Sequence, residues 1–172
     1  MLYDIKEIKG GKIMTTEQMA KCQDDMQGKI IVAVWSTPCK PYLFVRLSVN
    51  KDKIKQVRKH DEYAGYMQDY DFEVKDGEGN KALLDGHNGT EYVVFEDLES
   101  ARKAVKILNE IDKTDWVRRD LNTQIEVFNK IRITNEVCAS VRNAVSKAKE
   151  DLTNALIACE KRNVELLKKL KG

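Results

Sequence analysis

Apolar and polar residues alternate through the first half of the chain, while in the second half the apolar ones recur at helical spacing. Residues 2–8 alternate and read as a strand ended by Gly10-Gly11. Thr15 or Thr16 suits a helix cap, with Met19, Cys22 and Met26 on one face and Gly28 as the stop. Residues 30–35 form a short apolar run suited to a buried strand. Pro38 and Pro41 then bracket a turn, and residues 42–49 are rich in strand formers. Residues 50–66 are charged and weakly periodic through Ile54, Val57 and Tyr63, which predicts a helix. Residues 70–74 and 81–84 read as strands joined by the turn Asp76-Gly77-Glu78-Gly79. Asn88-Gly89 is a hairpin signal leading into a further strand over 91–96. The predicted fold class is α+β, a small antiparallel sheet with one or two packed helices, followed by a long helical, coiled-coil-like C-terminal region.

That region is marked by its lack of backbone breakers. Both prolines and eight of the nine glycines precede Thr90. Asp97 suits the cap of a helix whose apolar face is Leu98, Ala101, Val105, Leu108 and Ile111, and Thr114 suits the cap of another. From there, positions seven apart read Val117, Gln124, Ile131, Cys138, Val145, Leu152, Cys159 and Leu166. Companion positions are Leu121 and Phe128, then Val141, Ala148 and Ala155. This is a coiled-coil-like seam with a change of companion near 131–138. The division expected is a head over 1–112 and a long helix or helical hairpin over 113–172, used for oligomerisation or partner binding. Residues 131–135 favour helix least and allow a bend, but the seven-residue phase survives through them, which favours one continuous helix of roughly 80 Å. Such a stripe calls for a second surface. The expected oligomer interface is therefore Val117, Leu121, Phe128, Ile131, Cys138, Val141, Val145, Ala148, Leu152, Ala155, Cys159 and Leu166, in a homodimer or higher oligomer. In a parallel pair, Cys138 and Cys159 would each face their own copy.

Charge adds little to this picture. Thirty basic side chains stand against 28 acidic ones, and residues 97–172 carry 16 basic and 12 acidic groups, too small an excess for a general nucleic-acid or membrane field. No stretch approaches the ~18 consecutive apolar residues of a membrane span, and the first residues lack the apolar core of a signal peptide. A cytoplasmic chain with no membrane contact is expected. Its four cysteines, Cys22, Cys39, Cys138 and Cys159, would then be free thiols.

Candidate chemistry is sparse. Trp35-Ser36-Thr37-Pro38-Cys39-Lys40 resembles the Trp-Cys-x-Pro-Cys-Lys active-site sequence of thioredoxins over six residues, which would imply thiol–disulfide chemistry. Ser36 stands where that family's attacking cysteine must be, and residues 42–47 read as strand where the family has a helix. The segment is therefore read as a structural turn, and no family is assigned. His60 and His87 with widely spaced cysteines offer no close pair for zinc, so no metal and no cofactor are expected. Cys39 with a histidine is the one nucleophile–base couple to consider. The acidic run Asp69, Asp71, Glu73 and Asp76 alternates as a solvated strand face does, and lacks the sixth-position glycine of a calcium loop.

Lys51, Lys55, Arg58 and Lys59 form the densest basic cluster, and Trp116 with Arg118 and Arg119 a second. All six cations are candidate contacts to phosphates or to an acidic partner. The function expected is a non-enzymatic protein-interaction module with an oligomerising tail. Small charged chains without catalytic motifs are common among phage and mobile-element accessory proteins, including steric inhibitors of host defence, and residues 92–111 resemble segments of such proteins. The alternative is a nucleic-acid-binding accessory protein using the lysine cluster.

Overall fold

The computed structural model describes residues 7–50, 70–87, 89–131 and 138–172. The expected helix at 50–66 falls, but for Asn50, outside them, as do most of the expected first strand and the cations Lys51, Lys55, Arg58 and Lys59 with His60.

Six strands, β1 (Gly11–Thr15), β2 (Ile30–Val32), β3 (Pro41–Val49), β4 (Tyr70–Lys75), β5 (Lys81–Leu84) and β6 (Glu91–Phe95), form one antiparallel sheet in the order β1-β6-β2-β3-β4-β5. A short helix α1 (Thr16–Lys21) and a 3-10 turn (Gln23–Met26) follow β1. Thr15 caps α1 as expected: its hydroxyl accepts from Gln18 N–H, and the Gln18 side chain accepts from Thr15 N–H. Two 33-residue helices complete the chain, α2 (Leu98–Lys130) and α3 (Ala139–Lys171). The fold is α+β, as the apolar pattern implies.

One face of the sheet packs on α1 and the 3-10 turn. Met19 and Met26 meet Ile31, Phe44, Phe72, Val74 and Tyr92 in a single core cluster. Phe72 lies at its centre, its ring 5.0 Å edge-on from Tyr92 and 6.0 Å from Phe44. Successive strand residues point to opposite faces, and β6 is buried on both, through Tyr92 and Val94 on one and Val93 and Phe95 on the other. That explains a correction. The hairpin signal implies that β6 pairs with β5, but β6 inserts between β1 and β2. A strand apolar on both faces needs an interior place, whereas β5, with exposed Lys81 and Leu83, suits an edge.

Two glycines mark close approaches. A Cβ on Gly11, the first residue of β1, would lie 2.5 Å from Val93 and 2.8 Å from the Phe95 ring, so only glycine lets β1 pass this close to β6. A Cβ on Gly86 would lie 1.9 Å from the Tyr70 carbonyl, beside the bond that Tyr70 N–H donates to Gly86.

Asp97 caps α2 as expected, its carboxylate accepting from Ser100 N–H at 2.8 Å. Thr114 does not cap a further helix. Its hydroxyl donates to the Glu110 carbonyl at 2.7 Å and α2 runs through it unbroken, a Thr side chain satisfying itself one turn back.

The chain divides into two compact units. One holds the sheet and the chain up to Asn109, with Leu170–Gly172, and the other is Glu110–Lys169.

Candidate interaction surface

Within Glu110–Lys169 the two helices run antiparallel. Arg162 Nε donates to Glu110 at 3.2 Å, and the Cys159 thiol to the Thr114 carbonyl at 3.1 Å. Farther along, Gln124 and Phe128 border the same groove as Ala148, Asp151 and Leu152. Facing positions fall in α3 as they rise in α2, so the chain doubles back, and the continuous helix favoured by the seven-residue phase is not formed. An antiparallel pair needs a heptad on each helix, but nothing in the seam ties the phase of one to the phase of the other. The surviving phase therefore carried no information on continuity. Closing a short connection costs little entropy beside the apolar stripe it buries.

Contacts within the chain cover part of the expected oligomer interface. Leu121, Phe128, Val145, Ala148, Leu152 and Cys159 are half-buried, and Leu166 is buried. Val117, Ile131, Cys138, Val141 and Ala155 stay exposed. The Cys159 thiol is turned to its own chain, donating to the Thr114 carbonyl. Cys138 stands one residue before α3, with its carbonyl accepting from Arg142 N–H and its thiol 3.1 Å from the Ser140 hydroxyl. The Ser140 hydroxyl, and behind it the Val141 N–H, hold this thiol below its ordinary value.

Arg118 and Arg119 are committed within the hairpin. The Asp115 carboxylate, whose side chain is 7% exposed, accepts from Arg118 at 2.8–2.9 Å and from Arg119 at 2.8–3.1 Å. Burial works to raise the Asp115 carboxyl, but the two guanidiniums together outweigh it and hold it below its ordinary value. Both expected cations thus already hold an acidic partner within the chain. Asp115 was legible as a salt-bridge partner from its spacing to both arginines.

Cys39 is 2% exposed and held by its backbone. Its N–H donates to the Asn109 side-chain oxygen at 2.7 Å, and its carbonyl accepts from the Asn109 amide at 3.0 Å. Asn109 thus pairs with the loop as a neighbouring strand would, and the loop's buried thiol has a structural setting. Nothing in the sequence links these two residues, which lie 70 positions apart. His87 is part of a turn: its N–H donates to the Asp85 side chain at 3.0 Å, and its carbonyl accepts from Thr90. Among the described residues no group of three or more His, Cys, Asp or Glu is placed to hold a metal ion, and no helix is long and apolar enough to cross a membrane.

Apolar side chains reach solvent mainly from the hairpin. Among the described residues eleven large hydrophobic side chains are exposed and seven lie there, including Trp116, Val127, Val141, Ile157 and Val164, so the hairpin is the candidate surface. A sheet with a two-helix hairpin that exposes several large apolar side chains among its charges defines a class of architecture. Comparison of the chain with family models, with curated proteins and with solved structures finds no match.

Proposed function

We propose that the chain is a protein-interaction module, a sheet-based head carrying a helical hairpin that engages another protein and occludes the surface it covers. The observation that carries this reading is the exposed apolar character of the hairpin. Two helices can bury only the strip between them. Here the outer sides carry Trp116, 68% exposed, and Val127, 56% exposed, where a purely structural layer would carry charge. Trp is also the residue type most often found at energetic centres of interfaces. The nucleic-acid alternative rests on the lysine cluster, which lies outside the described residues, because Arg118 and Arg119 already hold Asp115.

The test replaces Trp116 by a photoreactive phenylalanine analogue, with irradiation in a lysate of the source organism. The expected product is a discrete adduct containing peptides of a different protein, suppressed by excess wild-type chain. Adducts to nucleic acid alone would contradict the proposal, and so would adducts that excess wild-type chain does not suppress.

A further inference from the structure

We propose that one side of the hairpin is the docking face for a second copy of this chain, giving a four-helix bundle with a twofold axis parallel to the helices. On α2, Val117, Leu121, Gln124, Phe128 and Ile131 follow one another at alternating spacings of four and three, which places them on one stripe. On α3, Ala144, Ala148, Asp151, Ala155 and Ala158 follow the same alternation. The groove bordered by Gln124, Phe128, Ala148 and Asp151 shows that both stripes flank the same side of the hairpin. In a chain with 34% charged residues, these ten positions hold a single charge, Asp151.

The stripes also match level by level. Because the helices are antiparallel, the Val117 end of α2 lies beside the Ala158 end of α3, Phe128 shares a groove with Ala148, and the Ile131 end lies beside the Ala144 end. Each bulky residue of α2 has a small one beside it on α3. A twofold axis parallel to the helices lays α2 of one copy over α3 of the other at unchanged height, so every large side chain meets an alanine. The same operation sets Gln124, whose amide also donates to Asp120 at 2.8 Å, opposite Asp151. Self-complementarity of this kind is what a closed twofold interface requires. A different partner would have no reason to reproduce it.

From Val117 to Ile131 the face is about 21 Å long. With two helices side by side, two copies would bury about 1,000 Å², the lower end for a specific complex. The dimer should therefore dissociate on dilution.

This inference rests on the interaction reading, and its failure would be separate: a monomeric chain would still be free to capture a different protein through Trp116. The experiment is light scattering on the full chain, under reducing conditions, across a hundredfold dilution. Wild type should approach twice the 19.7 kDa chain mass at the highest concentration and fall toward 19.7 kDa on dilution. Ala155→Glu should weaken association by ~10-fold or more, with helical circular dichroism unchanged because Ala155 is exposed. Thr153→Glu, an exposed position outside the stripe, should leave association intact. A wild-type chain of 19.7 kDa at every concentration would overturn the proposal. An Ala155→Glu dimer as tight as wild type would do so as well, by placing the contact elsewhere.

Discussion

Phe72→Ala is expected to cost the head about 3–5 kcal/mol, the usual range for deleting a buried aromatic ring. Phe72 is 1% exposed and lies between Phe44 and Tyr92, so its removal opens a cavity and strips two aromatic neighbours of their packing. Small domains carry about 5–15 kcal/mol in all, so the variant should be marginal or unfolded at growth temperature. Phe72→Leu should lose much less, because it fills most of the volume. Denaturant titration reports both, followed by Trp35 emission in a Trp116→Phe background. Trp35 suits the purpose because its ring lies 5.9 Å from Tyr92. A Phe72→Ala midpoint equal to wild type would mean the ring is not in the core.

Asp115→Ala is expected to destabilise the hairpin by about 1–3 kcal/mol, the cost of leaving hydrogen-bonding groups without their partner. Most of this comes from Arg118, whose side chain is 23% exposed, since Arg119 at 70% can return to water. The same carboxylate sets a pH dependence. Its folded-state pKa lies below its ordinary value, so it binds a proton less readily folded than unfolded. Its contribution is present above the ordinary carboxylate pKa of about 3.9 and is lost as pH falls through the depressed folded value. Denaturation followed by Trp116 emission in a Trp35→Phe background should show wild type losing its advantage over Asp115→Ala between about pH 5 and pH 2. An advantage that persisted through that range would refute the arginine clamp.

Features set by neighbouring residues were legible in the chain. Thr15 with Gln18, Asp97 with Ser100, and the turn ending in Gly79 declared themselves because each capping or turning group lies within a few positions of what it binds. Topology was less legible. The pattern around Asn88-Gly89 was read as a hairpin, yet the double-sided burial of β6, visible in the run Tyr92-Val93-Val94-Phe95, already argued for an interior strand. Contacts between distant residues were hidden altogether. Asn109 reaches Cys39 across 70 positions, and no periodicity announces that. The hairpin illustrates a different limit. The seven-residue stripe is legible in the chain, but the same stripe serves a continuous helix paired with a copy and two helices paired with each other. The small residues beside it, Ala144, Ala155 and Ala158, mark the side that the seam leaves open.

The doubling back of the chain fixes which side of each helix is spent and which is presented. The direct measurement is a pulsed electron–electron distance between nitroxide amino acids at Asp112 and Glu160, with labelled protein diluted into unlabelled so that pairs within one chain dominate. Neighbouring antiparallel helices, with axes 8–10 Å apart, predict a distance of about 20 Å with the label arms included. A distance near 70 Å, the separation along one unbroken helix, would contradict the hairpin and with it the face assigned to the second copy.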